Sequence, residues 1–188
     1  MQHMGMLKRI LHYLKGTKDH TITYRAQAAQ DKNIFHGFAD AAHANCDDHK
    51  STSGYVFLAA GGAITWRSKK QTVVALSSTE AKYIALSEAR HEACWLRNLS
   101  EELGFPQDLP TELKGDNMGA IAMAWNPQFH KRSKHIATKW HWICDLIQYR
   151  YVRAESCRDP EQTTDTLMKA LTRPKHKCHT IEMGLAPV

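Results

Sequence analysis

The chain has 188 residues, of which 43% are hydrophobic and 23% charged, and its formal net charge is +6. A chain of this length forms one domain with a short remainder and buries a core of its own, and its composition argues against a disordered or coiled-coil protein. It contains neither an apolar run of the roughly 18 residues that a membrane helix needs nor an apolar signal segment at its start, so we expect an intracellular protein that does not act on a membrane.

The first third of the chain is predicted to contain one helix and three strands. Apolar residues at helical spacing favour the helix, and Gly61-Gly62 between two apolar runs is a strong hairpin signal. These elements are expected at residues 6–15 (helix), 34–39, 54–59 and 63–67 (strands). The first of the three strands leads directly into Asp40. We therefore expect the first three strands to form an antiparallel unit.

The clearest helix begins at Ser77-Ser78-Thr79-Glu80, which has the S-x-x-E spacing of a capping box, and its apolar periodicity ends near Leu103-Gly104. The elements expected after it are a strand at 112–115, helices at 117–125 and 138–149, a strand near 151–153 and a last helix around 164–171. Alternation of strands and helices in this order predicts an α/β protein with a mixed five-stranded sheet flanked by helices.

Four acidic residues fall where predicted elements begin or end: Asp40, Glu80, Asp116 and Asp165. Each has an ordinary structural explanation when taken singly, as a turn residue, a capping-box partner, a helix N-cap or an exposed helix charge. Strand ends and helix starts of one α/β layer can, however, converge at one rim, where uncompensated carboxylates repel one another. Magnesium ions remove that repulsion, and a pair of them about 4 Å apart serves phosphodiester cleavage.

Basic residues are clustered around these acidic positions. The clusters are Arg67-Ser68-Lys69-Lys70, Lys131-Arg132-Ser133-Lys134 and Arg173-Pro174-Lys175-His176-Lys177. Any one cluster is explained by a solvated loop, whereas three of them around acidic motifs favour a surface that faces phosphates. An acidic pocket with basic surroundings suits an enzyme that cuts nucleic acid.

Several segments of the chain form a combination that is highly specific for one family of proteins. They are Gly37-Phe38-Ala39-Asp40-Ala41, Ser51-Thr52-Ser53-Gly54-Tyr55-Val56, Ala75-Leu76-Ser77-Ser78-Thr79-Glu80-Ala81-Lys82-Tyr83, Gly115-Asp116-Asn117, Ser133-Lys134-His135-Ile136 and Asp165-Thr166-Leu167-Met168-Lys169-Ala170-Leu171. Together they resemble the Copia-type (Ty1/Copia, Pseudoviridae) retrotransposon Pol polyprotein, in its ribonuclease H domain and the tail of the preceding reverse transcriptase. The order Asp, Glu, Asp, Asp also favours ribonuclease H over an integrase-like transferase, whose glutamate would come last.

This resemblance implies a ribonuclease H-like fold and an endonuclease that hydrolyses the RNA strand of RNA–DNA hybrids with two Mg²⁺ ions, for which Mn²⁺ is a substitute. The catalytic and metal-binding positions that it implies are Asp40, Glu80, Asp116 and Asp165, with the first and third bridging both metals. The residues expected to contact nucleic acid are Arg67, Lys69, Lys70, Arg132, Lys134 and His135. An open alternative is a catalytically weak or inactive nucleic-acid-binding relic of a retroelement.

The resemblance also predicts how the chain is divided and what accompanies it. We expect a reverse-transcriptase tail over residues 1–30, a ribonuclease H domain over 31–173 and a basic tail over 174–188. The expected partners are an RNA–DNA hybrid and the reverse transcriptase portion of the same polyprotein, with the chain itself a monomer. The expected locations are the cytoplasm, within a virus-like particle, or the nucleus.

Overall fold

The computed structural model describes residues 2–25, 35–125 and 151–187. The elements in these ranges are α1 (Gln2–Gly16), β1 (His20–Ile22), β2 (Phe35–Ala42), β3 (Thr52–Ala59), β4 (Gly62–Lys70), α2 (Ser78–Glu102), β5 (Thr111–Gly115), α3 (Met118–Trp125), β6 (Val152–Ser156), α4 (Arg173–Glu182) and β7 (Leu185–Pro187). Two short 3-10 helices, Asp159–Glu161 and Thr163–Leu167, precede α4. The helix predicted at 138–149 lies outside the described residues. No helix in the described ranges is both long and apolar enough to span a membrane.

The main sheet has five strands in the order β4-β3-β2-β5-β6. Strands β2, β3 and β4 pair antiparallel, whereas β5 pairs parallel with both β2 and β6. The predicted mixed α/β sheet with an antiparallel start is therefore confirmed. Because β2 and β5 are parallel neighbours, the residues that follow their carboxyl ends meet at the same edge of the sheet.

The hairpin between β3 and β4 turns at Ala60-Gly61, one residue earlier than the Gly61-Gly62 signal indicated. Both turn residues have positive φ, 51° at Ala60 and 79° at Gly61. Positive φ at two central residues is typical of the short turns that match the twist of antiparallel strands. The predicted hairpin is confirmed, and the buried Gly62 is the first residue of β4.

The sheet separates two apolar clusters. The larger one packs α2 against one face, with Ala39, Tyr55 and Phe57 of the strands facing Tyr83 and Ile84 of the helix. The smaller one lies on the opposite face and is built from Phe38, Val56, Leu58, Ala63 and Met183. Since successive side chains of a strand point to opposite faces, the even-numbered residues of β2, Asp40 among them, belong to the second face.

The C-terminal part of the chain differs from the expectation. Instead of one helix around 164–171, the structure has the 3-10 helix Thr163–Leu167 and then α4, which begins at Arg173 with a proline in its first turn. Proline restricts the residue before it but suits the first turn of a helix, so Pro174 favours a start at this point. Strand β7 pairs antiparallel with β1 in a second, two-stranded sheet that the sequence analysis did not predict. Helix α4, apart from its first residue Arg173, and β7 lie within the range 174–188 that was expected as a basic tail. The domain boundaries stay a prediction.

Candidate active site

Two of the four candidate carboxylates lie side by side at the carboxyl edge of the parallel strand pair. Asp40 is in β2, and Asp116 directly follows β5. Phe38 of β2 pairs with Lys114 of β5 in parallel register. When this register is continued by two residues along each strand, Asp116 lies beside Asp40. Asp40 is 1% exposed, so its carboxylate is almost entirely removed from water. Burial of an anion at this depth needs a compensating cation.

Lys82 of α2 supplies one compensating cation. Its Nζ lies 2.7 Å from Asp40 Oδ1, and it donates to both oxygens of Asp116 at 2.6 and 2.5 Å. The side chain of Lys82 is only 16% exposed. A single ammonium group therefore bridges the two aspartates, which lie at the carboxyl ends of the neighbouring strands β2 and β5.

A second lysine joins Asp40 to the third aspartate. Lys169 Nζ lies 3.1 Å from Asp40 Oδ2 and 2.7 Å from Asp165 Oδ1. Lys175 of α4 donates to the other oxygen of Asp165 at 2.9 Å. Asp165 is 2% exposed and lies in the 3-10 helix Thr163–Leu167. The structure thus brings Asp40, Asp116 and Asp165 together through lysine side chains.

Two strand contacts, from Ser68 and Gly54, hold the Asp165 segment over the sheet. Asp40, Gly54 and Ser68 are directly paired across β2, β3 and β4, so they face the same side. Ser68 Oγ donates to the carbonyl oxygen of Leu167 at 2.6 Å. A β-carbon on Gly54 would come within 2.9 Å of Met168 Cγ, so the glycine makes room for that side chain. The position of Asp165 therefore depends on residues more than 90 positions earlier in the chain.

Glu80, the fourth candidate, lies in the first turn of α2 and is 6% exposed. The Ser77 hydroxyl caps the helix by accepting from the Glu80 N–H at 3.2 Å, as the capping box predicts. The Glu80 carboxylate accepts a hydrogen bond from the Leu76 N–H at 2.9 Å. Two residues further along α2 comes Lys82, so Glu80 stands at the end of the helix nearest to the aspartates.

The electrostatics of the cluster follow from burial and from the lysines. Burial raises the pKa of Asp40, and the Asp116 carboxylate adds to this effect, although Lys82 and Lys169 oppose it. Burial also acts to raise the pKa of Asp165, but hydrogen bonds from Lys169 and Lys175 outweigh it and the pKa is lowered. The pKa of Lys82 is raised because its contacts with Asp116 and Asp40 outweigh its own desolvation. The lysines are therefore held charged between the carboxylates.

The donor chemistry of the cluster fits a hard divalent cation, since carboxylate oxygens are the ligands that Mg²⁺ prefers. The places between the carboxylates are, however, held by ammonium groups. Within residues 2–25, 35–125 and 151–187, no three histidine, cysteine, aspartate or glutamate side chains form a group that could hold a metal ion. The carboxylates are of the chemical type that Mg²⁺ binds, but in this structure they are arranged around lysine ammonium groups.

The basic residues expected to contact nucleic acid are divided by the sheet. Lys70 pairs with Thr52 at an even position of β3 and so faces the same side as Asp40, whereas Arg67 and Lys69 pair with odd positions and face the α2 side. Lys69 and Lys70 are exposed, and Lys70 Nζ lies 2.8 Å from Asp48 Oδ1. Arg132, Lys134 and His135 lie outside the described residues.

Lys82 and Lys169 were not predicted from the sequence as site residues, and Lys175 was predicted only as part of a basic cluster. One signal was available, because Lys169 follows Asp165 by four residues, the spacing of a local acid–base pair. Lys82 carries no such signal, since its partners are 42 positions before and 34 positions after it. Lysines are ordinarily assigned to the solvated surface.

Comparison with known proteins gives matches over nearly the whole chain and matches over about half of it. The chain is 36% identical over 187 residues to the retrovirus-related Pol polyprotein from transposon RE2 of Arabidopsis thaliana, covering 99% of this chain and 13% of that protein. Secreted RxLR effector protein 161 of Plasmopara viticola is 47% identical over 95 residues, covering 50% of this chain and 65% of the effector. The chain thus spans about an eighth of the length of the Pol polyproteins that it matches. No family model matches the chain.

Among solved structures, LC11-RNase H1, isolated from compost, superimposes with a TM-score of 0.50. The alignment covers 72% of this chain and 93% of that protein, at 15% sequence identity. At this identity the likeness concerns the fold alone. The predicted ribonuclease H-like fold is confirmed.

Proposed function

Because the chain is homologous to one segment of the Copia-type retrotransposon Pol polyproteins, we propose that it is a ribonuclease H that hydrolyses the RNA strand of RNA–DNA hybrids during reverse transcription. The observation that carries the proposal is the meeting of Asp40, Asp116 and Asp165, from three separate elements, at one edge of the sheet. Asp40 and Asp165 are buried, and clustered titratable groups of this kind mark a candidate functional site even though lysines compensate their charge here.

The residues that would hold the metal ions are the four carboxylates. Asp40 and Asp116 would be the central ligands because they lie level on adjacent strands. Asp165 and Glu80 would complete the site from the 3-10 helix and from the start of α2. When bound, two Mg²⁺ ions supply activation of a water molecule and stabilisation of the leaving oxygen. The protein's own contribution is to keep the carboxylates buried and fixed on rigid strands.

Selectivity for the hybrid would come from the 2′-hydroxyl groups of the RNA strand, which a protein reads across a wide, shallow minor groove. We assign Glu80 to this contact in addition to metal binding. The phosphates would meet the basic residues Arg67, Lys69, Lys70, Arg132, Lys134 and His135, and Lys70 is the one that shares a face with Asp40 among those the structure describes. Binding through such contacts weakens steeply with salt.

The reverse transcriptase portion of the same polyprotein is the proposed protein partner. Helix α1 exposes large apolar side chains along its length: Met4, Met6, Leu7, Ile10, Leu11 and Leu14, each at least 50% exposed. An apolar helix surface of this kind is typical of an interface with another part of a protein. Because the chain spans only 13% of its Pol relatives, the remainder of such a polyprotein is the natural occupant of that surface.

The test is cleavage of an end-labelled RNA–DNA hybrid with Mg²⁺. We expect cutting of the RNA strand alone, abolished by EDTA and by Asp116→Asn, since loss of one carboxylate removes a central ligand. Asp108→Asn, at an exposed aspartate, is the matched control and should retain full activity. Cutting that persists in Asp116→Asn would place the activity elsewhere.

A second candidate function is a nucleic-acid-binding relic with weak or no catalysis. The observation that favours it is the occupation of the space between the aspartates by lysine side chains. It predicts salt-sensitive binding of the hybrid, with no cleavage by the folded protein at high enzyme and Mg²⁺ concentrations. Turnover that depends on metal would exclude it.

A further inference from the structure

We propose that Lys82 is a built-in cation that competes with the divalent metal for Asp40 and Asp116, so that this chain binds metal more weakly than its carboxylates alone would allow. The inference rests on the proposed metal-binding role of the aspartates and goes beyond it, because it assigns an inhibitory contact to a residue outside the carboxylate set.

The contacts of Lys82 are those of a bound cation. Its ammonium group meets three carboxylate oxygens, one from Asp40 and two from Asp116, at distances between 2.5 and 2.7 Å. These are the two carboxylates that lie level on neighbouring parallel strands, and a metal shared by them would need the same oxygens. An ammonium group and a metal ion cannot both occupy that position.

The backbone of Lys82 leaves the ammonium little freedom to withdraw. Lys82 lies on α2 between Ala81 and Tyr83, which are both at most 1% exposed and belong to the larger apolar cluster. The helix cannot turn or shift without disturbing that core. Only the side chain of Lys82 can move, and moving it takes the ammonium group away from Asp116 and leaves the buried Asp40 with Lys169 as its cation.

Lys169 differs from Lys82 in this respect. It follows the 3-10 helix Thr163–Leu167, and its side chain is 37% exposed, more than twice the exposure of the Lys82 side chain. A long side chain that is already partly exposed reaches solvent by a smaller movement than a nearly buried one. Asp165 would moreover keep Lys175 as a partner when Lys169 leaves. Lys82 is therefore the residue whose ammonium group competes most strongly with a metal ion for the aspartates.

The size of the effect follows from the fraction of molecules in which the ammonium has withdrawn. The apparent dissociation constant for metal is the intrinsic one divided by that fraction. Minor conformations of proteins are populated at about 0.1–10%, so removal of Lys82 should tighten metal binding about tenfold or more.

The experiment measures Mn²⁺ binding to the folded chain by the loss of the electron paramagnetic resonance signal of free Mn²⁺, with Mg²⁺ as competitor and no nucleic acid present. The wild type is compared with Lys82→Gln, and with the same substitution combined with Asp116→Asn. Lys50→Gln is the matched control, because Lys50 also pairs with an aspartate, Asp48, at 3.8 Å on the surface. Catalytic activity plays no part in this readout.

We expect Lys82→Gln to bind Mn²⁺ about tenfold more tightly or better than the wild type, with the gain lost on adding Asp116→Asn and absent in Lys50→Gln. Equal affinity in the wild type and Lys82→Gln, in both cases dependent on Asp116, would overturn the inference while supporting the metal site. No Mn²⁺ binding by any folded variant would overturn the inference and the proposed metal site together.

A measurement on the unaltered protein covers the case in which Lys82→Gln fails to fold. Amine acetylation followed by mass spectrometry reports how accessible the Lys82 ammonium group is. If metal displaces it, acetylation of Lys82 should rise several-fold at saturating Mn²⁺, while that of Lys50 stays constant. Unchanged labelling of Lys82 at saturating Mn²⁺ would contradict the competition.

Discussion

Met168 lies against Gly54 of β3, with its Cγ 2.9 Å and its Sδ 2.9 Å from the place that a β-carbon on Gly54 would occupy. This close approach seats the segment that carries Asp165 and Lys169 on the face of the sheet that Asp40 shares. A glycine in a strand ordinarily weakens it, and here its absent side chain is what allows the segment to approach. The placement of Asp165 and Lys169 in the candidate site therefore depends on the glycine at position 54 of β3.

Substitution of that glycine should be destabilising, and the cost should depend on Met168. Gly54→Ala is expected to lower the free energy of unfolding by about 1–3 kcal/mol, because the added methyl group collides with the methionine. In a Met168→Ala background the same substitution should cost much less. Urea denaturation of the four chains of this double-mutant cycle measures the coupling.

Gly5→Ala is the control for that cycle, since nothing lies within 4 Å of the β-carbon it would add. It should leave the free energy of unfolding unchanged or slightly higher, as expected for alanine replacing glycine in a helix. Equal costs of Gly54→Ala with and without Met168 would mean that the contact does not position the segment.

Lys70 provides a test of where the nucleic acid lies. It faces the same side of the sheet as Asp40, so Lys70→Gln should weaken hybrid binding and reduce the slope of log affinity against log salt by about one. The measurement is a fluorescence anisotropy titration of a labelled RNA–DNA hybrid at several salt concentrations. Lys8→Gln, on α1, is the matched control and should leave the slope unchanged. An unchanged slope for Lys70→Gln would place the hybrid on another surface.

Tyr55 should make the stability of the fold depend on pH at the alkaline end. Burial and the hydrogen bond to Glu92, at 2.9 Å, raise the pKa of Tyr55 from 10.0 to about 12. The folded state thus holds the phenol proton more tightly than the unfolded state does. The resulting stabilisation is complete below pH 10.0 and is lost as the pH rises towards about 12.

The wild type should therefore lose more stability than Tyr55→Phe between pH 9 and pH 11, values chosen on either side of the ordinary tyrosine pKa of about 10. The free energy of unfolding in urea, measured for both chains at the two pH values, isolates this contribution, because the other ionisable groups are common to both. Parallel losses in the two chains would show that Tyr55 keeps its proton equally well when unfolded.

Much of the fold was predictable because its signals are local. The turn between β3 and β4 depends on a glycine with positive φ at position 61, and the start of α2 depends on the bond between Ser77 and Glu80 three residues apart. Apolar periodicity predicted α1 and α2 in the same way. The prediction failed at the C-terminal end, where Thr163–Leu167 forms a 3-10 helix and β7 pairs with a strand more than 160 residues earlier.

The sequence by itself determined the sheet-and-helix pattern, the capped start of α2 and the four carboxylates as candidates, because each is a matter of residue type and short spacing. Only the tertiary structure decided which of them meet and what neutralises them. Lys82 reaches Asp40 and Asp116 from a helix that packs on the sheet, and Lys169 reaches Asp40 across 129 positions of the chain. Such contacts depend on strand register and helix placement, and the energy that selects them comes from burying the whole core rather than from neighbouring residues.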